Sequence, residues 1–269
     1  MSRTLLSRLT TASRKALGVP IMLCIVSLLG GNPVFAQNVE PARRVAVLSL
    51  MGGSLSIVTH TPSTGTHLAQ NEVEDRAVPN GIFDKAATAA ADEAARKSDP
   101  TVVTILLSPQ QPALAAIQDK MIDAQGFAAP PSLVNSLNEL RATHLLLLTK
   151  HRDSAKLQGA QGFMGSGTLS GLGYYVDRHL HVKSADTGAT ALGFLAPFAY
   201  FKISLVDLNS GDVVKQRLVT VGSTIFPGDG PDPGDPWAVL DATQKADLLR
   251  DLVKRAVESN VTQIFDAKS

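Results

Sequence analysis

Apolar runs alternate with amphipathic stretches through the first half of the chain. Three runs have the length and composition of buried strands: residues 44–50, 101–107 and 144–150. Three stretches between or before them repeat at helical spacing or open on a proline: residues 83–94, 112–123 and 131–143. The run TVVTILL at 101–107 has no charged position, which predicts a buried central strand. Strands that alternate with helices favour a sheet with a parallel centre and helices packed on it.

The chain near the first run contains turn signals. Gly52 and Gly53 separate residues 44–50 from a second β-rich run at 55–60, and two glycines between such runs predict a hairpin. Residues 61–78 mix proline, glycine and charge without a period and are predicted to form a loop. Asn80 has the side chain of a helix cap for the stretch that follows.

The second half of the chain has a different period. Residues 174–183 alternate, and residues 198–208 and 213–221 flank Asn-Ser-Gly-Asp at 209–212, which is a strong hairpin signal. Asp241 and Gln244 have capping-box spacing ahead of a final amphipathic helix. The predicted fold class is therefore α/β, with a mixed sheet, antiparallel hairpins, helices packed on the sheet and a C-terminal amphipathic helix.

The N-terminus has the three parts of a secretory signal. Four cations and no acid precede an apolar run at residues 21–29, and Val34-Phe35-Ala36 ends in a small residue before Gln37. The run is about half of the ~20 residues that a membrane-spanning helix needs. Cys24 offers lipid attachment as an alternative, but Leu23 before it is not small. We expect residues 1–36 to be a signal peptide that is cleaved after Ala36.

Cleavage changes the composition of the chain. Removing 36 of the 269 residues leaves 233, and the loss of four cations takes the net charge from +1 to about −3. No cysteine remains, so the chain relies on its own core, for which this length is sufficient. The charge excludes a nucleic-acid footprint, and no second apolar segment predicts a membrane span. We expect residues 37–269 to form a single α/β domain, with a flexible glycine-rich loop at 159–173 and a Pro/Gly/Asp linker at 228–236.

The glycine-rich segment, residues 159–173, lacks the motifs of known catalytic loops. No lysine follows its glycines, as a phosphate-binding loop of the Walker type requires, and strand-forming residues follow where a dinucleotide site needs a helix. Ser166 and Ser170 do not match G-x-S-x-G, because Met164 and Thr168 occupy the position of the first glycine. The segment is predicted to be a mobile connection into a strand, and no catalytic residue is assigned.

Histidines provide the candidate metal ligands. His179 and His181 are two apart on a predicted strand, so both rings and Asp177 are expected on one face. A solvated strand face explains the same spacing. A metal site would need a further ligand, for which the sequence offers His60, His144 or His151. No cofactor is predicted.

Three aromatic residues are candidates for ligand binding. Tyr174, Tyr175 and Trp237 could form a stacking platform, although paired aromatics at the start of a strand usually belong to a core.

The hairpin FKISLVDLNSGDVVKQ resembles a hairpin of CsgG- and TolB-N-terminal-type bacterial envelope domains. The resemblance rests on Val206-Asp207-Leu208 with Ser210-Gly211-Asp212 and on the order of the elements. It implies an envelope location and an accessory or binding role, and it carries over no catalytic residues. The chain departs from a CsgG-like secretion channel in lacking a lipobox cysteine.

The sequence therefore predicts an exported protein, periplasmic or secreted, that binds or assembles with an envelope protein or a small ligand and does no catalysis of its own. The alternative is an exported hydrolase or metal-dependent enzyme that uses the face of His179 and His181.

Overall fold

The computed structural model describes residues 43–62, 71–108, 112–160, 162–183, 190–227 and 235–266. Its strands are β1 (Arg44–Ser49), β2 (Ser54–Thr59), β3 (Glu72–Ala77), β4 (Val103–Leu107), β5 (Ile122–Asp123), β6 (Gly126–Phe127), β7 (His144–Lys150), β8 (Arg152–Ser154), β9 (Leu157–Gly159), β10 (Gly162–Met164), β11 (Thr168–Lys183), β12 (Thr190–Asp207) and β13 (Val213–Gly222). Its α-helices are α1 (Ile82–Ser98), α2 (Pro112–Ala116), α3 (Pro131–Glu139) and α4 (Ala242–Phe265). The predicted signal peptide lies outside the described residues.

A parallel group of strands forms one part of the main sheet. β1 lies between β4 and β7 and pairs with both in parallel, so that Val45 is opposite Thr104 on one side and His144 on the other. The side chains of β1 and β7 are buried on both faces, as their continuous apolar runs predict. The α/β class and the mixed sheet are confirmed.

Two long antiparallel strands extend this sheet. β11 has 16 residues and β12 has 18, and β12 pairs with β11 through its first half and with β7 through its second half. β13 pairs with the opposite edge of β12, which confirms the hairpin predicted at residues 209–212. β2 pairs in parallel with β11 and antiparallel with β3.

Helices cover both faces of the parallel group. The alanine face of α1 and the apolar face of α4 pack on Val45, Val47, Leu146 and Leu148, while α3 and the segment around α2 pack on the other face. The capping box of Asp241 and Gln244 starts α4 as predicted. Pro131 is the first residue of α3. Among the described residues, none of the helices has the length and apolar character required to cross a membrane.

The position of β4 differs from the sequence prediction. Within the described part of the chain, β4 is the last strand of the sheet and pairs only with β1, and its five side chains are half-buried or exposed. The apolar run TVVTILL predicted a central strand because local composition does not record where a strand lies in the order of the sheet. The loop predicted over residues 61–78 is also partly wrong. Residues 72–77 form β3, whose six side chains are all exposed and whose charges lie on both faces.

Two predicted turn and cap assignments are wrong. β1 and β2 do not pair with one another, so Gly52-Gly53 is not a hairpin turn. A Cβ at Gly52 would lie 2.7 Å from the backbone nitrogen of Asp84, so this glycine allows α1 to approach the chain closely. Asn80 does not cap α1. It has a left-handed φ of 62° in a short 3₁₀ turn, and Gly81 is the N-cap residue.

The predicted helix at 112–123 is shorter than expected. It ends as α2 at Ala116 and is followed by a 3₁₀ turn and by β5, which pairs with β6. Of the predicted linker at 228–236, residues 228–234 lie outside the described residues. Residues 235–239 form a capped 3₁₀ turn in which the Asp235 side chain accepts a hydrogen bond from the Trp237 backbone.

Candidate functional site

The glycine-rich segment forms strands rather than a loop. It contains the end of β9, all of β10 and the first six residues of β11, and Leu157 of β9 packs in one cluster with Tyr175 of β11 and Phe198 of β12. Leu169, Leu172 and Tyr175 of β11 are buried. The prediction that this segment is a loop is therefore wrong, because Leu169 and Leu172 are buried in clusters on opposite faces of β11 and the glycines serve the backbone geometry.

Three glycines show what that geometry requires. Gly165 and Gly167, on either side of Ser166, have φ values of 98° and 76°, which a residue with a side chain rarely adopts. Gly173 lies so close to β2 that a Cβ there would be 1.9 Å from the carbonyl oxygen of Ser56. The glycines thus form a tight turn and allow two strands to lie against one another.

The turn at Ser166 contacts a set of polar side chains that we call the His60 cluster: His60, Asn71, Ser166 and Tyr175. The Ser166 hydroxyl lies 2.9 Å from His60 Nδ1 and 3.3 Å from the Tyr175 hydroxyl. The Ser166 backbone N–H donates to the Tyr175 hydroxyl at 3.1 Å. Asn71 donates through Nδ2 to the Ser166 carbonyl at 2.7 Å, and its Oδ1 is 3.3 Å from His60 Nδ1.

These contacts hold the ring of His60. Because the Asn71 amide nitrogen donates to the Ser166 carbonyl, the amide oxygen faces His60 Nδ1. The Ser166 hydroxyl lies against the same ring nitrogen at 2.9 Å. A ring protonated at Nδ1 donates to the Asn71 oxygen, whereas a ring with its lone pair on Nδ1 accepts from the Ser166 hydroxyl. Either tautomer orients the histidine ring against the Ser166 turn.

The predicted metal ligands are only partly brought together. The rings of His60 and His179 meet edge to face with centroids 6.4 Å apart. The pairing of β11 with β12 is irregular between Asp177 and His181, so His179 lies within the irregularity and the regular alternation that placed both histidines on one face is broken. Asp177 Oδ1 accepts hydrogen bonds from the backbone nitrogens of His179 and Leu180 at 2.7 Å and 3.0 Å. Within the part of the chain that the structure describes, no group of three His, Cys, Asp or Glu side chains has metal-binding geometry.

The aromatic candidates do not form one platform. Tyr174 and Tyr175 are consecutive on β11, so their rings point to opposite faces. Tyr174 packs edge to face on Trp237 with centroids 5.8 Å apart, and Lys245 Nζ lies 4.3 Å from the Trp237 ring centre. Tyr175 stacks on Phe194 with centroids 5.7 Å apart. Both tyrosines are almost fully buried and belong to the core.

A second polar group lies at the carboxyl end of β1. Asp84 Oδ1 in the first turn of α1 accepts hydrogen bonds from the Ser49 hydroxyl at 2.5 Å and from the Gly52 backbone at 2.9 Å. Burial raises the pKa of Asp84, and the hydrogen bond from Ser49 opposes that rise. The carboxylate borders a cavity of about 550 Å³ that also contacts Leu106 of β4. The partners of Asp84 show that it joins two elements of the fold.

The sequence did not assign Asn71 or link Ser166 to a partner, and it named His60 only as one of three possible further ligands. No local pattern marks these residues, because Ser166 and His60 are 106 positions apart. The glycines on either side of Ser166 were the available signal, since they mark a tight turn that presents its middle residue.

Comparison with known proteins gives only weak similarities. No protein-family model matches the sequence, and no curated protein matches it. A PelC dodecamer from Paraburkholderia phytofirmans has 12% sequence identity and a TM-score of 0.32, with 85% of this chain and 94% of that chain covered. A homolog of neuraminyllactose-binding hemagglutinin from Helicobacter pylori has 7% identity and a TM-score of 0.36, with 85% and 92% covered. A DUF330 protein from Xanthomonas campestris has 10% identity and a TM-score of 0.28, with 87% and 86% covered. At these values, no function is transferred to the chain.

Proposed function

We propose that the protein is exported and acts in the cell envelope, in the periplasm or after secretion, as a binding or assembly protein without catalysis of its own. The N-terminal sequence supports export, since residues 1–36 have the charge, apolar run and small residue of a signal peptide. The resemblance of the β12–β13 hairpin to CsgG- and TolB-type envelope domains supports the same location.

The observation that carries the binding role is the open edge of the sheet at β4. Among the described strands β4 pairs with β1 alone, and Val103 and Leu106 are 43% and 48% exposed. An edge strand offers a row of unpaired N–H and C=O groups to any strand that approaches, and proteins usually protect such an edge with charges or proline. No charged residue or proline lies between Thr101 and Ser108. This edge is therefore suited to receive a partner strand.

The other edges of the described sheet have the expected protection. β3 carries Glu72, Glu74, Asp75 and Arg76 within six residues. β13 carries Lys215 and Arg217 within ten. The edge strands β3 and β13 carry charges and β4 does not. This contrast supports the proposal that a partner strand covers β4.

Site-specific crosslinking in the intact envelope tests this function. A photoreactive residue at position 106 is expected to give a discrete adduct with an identified envelope protein or a second copy of the chain. The same residue at position 218 of β13, where Leu218 is 57% exposed, is expected to give none. Absence of an adduct at 106, or location of the protein in the cytoplasm, would contradict the proposal.

A second candidate is an exported hydrolase or metal-dependent enzyme. The observation in its favour is the contact between the rings of His60 and His179, with His60 Nδ1 held by Asn71 Oδ1 and by the Ser166 hydroxyl. Metal-binding histidines are commonly oriented by a hydrogen bond from the second ring nitrogen in this way. The described residues supply only these two imidazoles in contact, so the first proposal is favoured.

Metal analysis separates the two candidates. The binding role predicts no stoichiometric metal in protein purified from its native envelope and no hydrolysis of activated esters. About one metal ion per chain, lost in His60→Gln and His179→Gln but retained in His181→Gln, would instead favour the enzyme.

A further inference from the structure

We infer that the strand received by β4 is β4 of a second copy, paired antiparallel about a two-fold axis at Ile105. This inference rests on the proposed function, in which the β4 edge takes up a partner strand, and it names that partner. The resulting assembly would be a closed dimer with one continuous sheet across both chains.

The backbone of β4 has the pattern that such pairing requires. The Val103 N–H donates to the Arg43 carbonyl at 2.9 Å, so the backbone groups of Val103 point towards β1 in the parallel ladder. Because alternate residues of a strand direct their backbone groups to opposite sides, the N–H and C=O groups of Thr104 and Leu106 point away from β1. In antiparallel pairing, Thr104 lies opposite Leu106 of the second copy, and Leu106 lies opposite Thr104 of the second copy. The outward backbone N–H and C=O groups of both residues then form hydrogen bonds. Ile105 is then opposite Ile105 of the second copy.

The side chains also fit this register. Directly opposite residues of an antiparallel pair lie on the same face of the sheet. Leu106 would therefore contact the second copy's Thr104, and Val103 would contact the second copy's Leu107. The two large apolar side chains that β4 exposes would both be covered by the same pairing. Thr104 forms hydrogen bonds with Asp92 and Arg96, and these two side chains form an ion pair at 2.7 Å. The pairing therefore places no unpaired charge beside Leu106.

The charges of the three edges explain why a second copy is the favoured occupant. Self-pairing places a strand against an identical strand, and like charges that lie opposite one another are destabilising. β3 brings an acid against an acid when it pairs with itself about Glu74 or Asp75, and β13 brings Lys215 against Arg217 when it pairs about Gln216. β4 has no charged side chain. Among these edges of the described sheet, it is the one that makes no like-charge contact in any self-pairing register.

A cysteine crosslink tests the register. The chain has one cysteine, Cys24, so a Cys24→Ser background has no competing thiol. Ile105 and Ile105 of the second copy would form a non-hydrogen-bonded pair on the two-fold axis. The Cα atoms of such a pair are about 4.5 Å apart, which allows a disulfide to form between cysteines at this position. We expect Ile105→Cys to give a disulfide-linked dimer on mild oxidation. Val73→Cys on β3 and Leu218→Cys on β13 are exposed controls that should remain monomeric under the same conditions.

Sedimentation of the chain without a crosslink gives an independent measure. Wild-type protein is expected to form a dimer, and Leu106→Lys is expected to weaken the dimer at least ~10-fold, because it places two like charges beside the axis. Leu218→Lys should remain dimeric. Circular dichroism and thermal melting of each variant confirm that it is folded.

The outcomes also separate this inference from the proposed function. A wild-type chain that stays monomeric, together with an adduct between position 106 and a different envelope protein, would overturn the dimer and leave the binding role intact. A monomer with no adduct at 106 would contradict both. A dimer that Leu106→Lys does not affect would show that another surface joins the copies and would overturn the inference.

Discussion

The hydroxyl group of Ser49 lies 2.5 Å from Oδ1 of Asp84, and this hydrogen bond joins the end of β1 to the first turn of α1. The same carboxylate oxygen accepts the backbone N–H of Gly52. Asp84 is 4% exposed, so these donors have little access to water as a substitute partner. The pair therefore fixes how the first helix approaches the parallel strands.

Replacing Asp84 is expected to destabilise the fold. Asp84→Ala leaves the Ser49 hydroxyl and the Gly52 N–H without an acceptor, and the free energy of unfolding should fall by about 2 kcal/mol or more. Asp84→Asn keeps an oxygen at the site and should cost less. Urea denaturation monitored by circular dichroism measures both. Asp251→Asn, on the exposed side of α4, is the matched control and should have little effect.

Asp84 also predicts a pH dependence. Burial raises the pKa of Asp84 above its ordinary value of 3.8, so the folded protein holds a proton at pH values where the unfolded chain has released it. The contribution of this residue to stability therefore decreases as pH rises from the unfolded pKa through the raised folded pKa. Asp84→Asn should remove that decrease, and Asp251→Asn should retain it. Identical pH profiles for wild type and Asp84→Asn would contradict the prediction.

The close approach of β11 to β2 predicts the effect of adding one methyl group. In Gly173→Ala the new Cβ would lie 1.9 Å from the Ser56 carbonyl oxygen and 2.8 Å from the Phe198 ring, so the strands must separate. We expect a loss of at least ~2 kcal/mol in urea denaturation. Gly53→Ala meets no atom within 4 Å and should change stability by less than ~0.5 kcal/mol. Equal stability of the two variants would show that β2 and β11 do not lie this close.

The Tyr175 hydroxyl is predicted to hold the turn that contains Ser166. Tyr175→Phe removes the acceptor of the Ser166 N–H, which should cost about 0.5–1.5 kcal/mol and increase hydrogen exchange at that amide. Tyr174→Phe is the matched control, because its hydroxyl donates to the Lys245 carbonyl on the opposite face of the sheet. Exchange at Ser166 should be unchanged in the control. Faster exchange in both variants would indicate general destabilisation.

Export predicts the N-terminus of the native protein. The chain should begin at Gln37 and carry no lipid, because Ala36 has the small side chain of a cleavage site and Leu23 before Cys24 does not. N-terminal sequencing and intact mass measurement of protein from the native envelope check this. Cys24→Ser should give the same mature protein. Recovery of an acylated Cys24 or of intact Met1 would refute it.

The local patterns of the sequence were sufficient for several elements. Unbroken apolar runs marked β1 and β7, since strands buried on both faces leave no polar positions. Asn-Ser-Gly-Asp marked the β12–β13 turn, where Gly211 has a φ of 79°, and Asp241 with Gln244 marked the start of α4. Each of these signals lies within a few residues of the structure that it specifies.

The tertiary structure decided what depends on distant parts of the chain. The sequence alone determined that TVVTILL is a strand, but only the order of the sheet made it an unprotected edge. The sequence also showed that residues 159–173 are rich in glycine. Only the structure explained why, because Gly173 lies against Ser56 and the turn between Gly165 and Gly167 is bonded to the Tyr175 hydroxyl. His60 and Ser166 are 106 positions apart and share no local pattern. Periodicity reports which face of an element is buried, whereas contacts between elements follow from strand order, which no single stretch of sequence encodes.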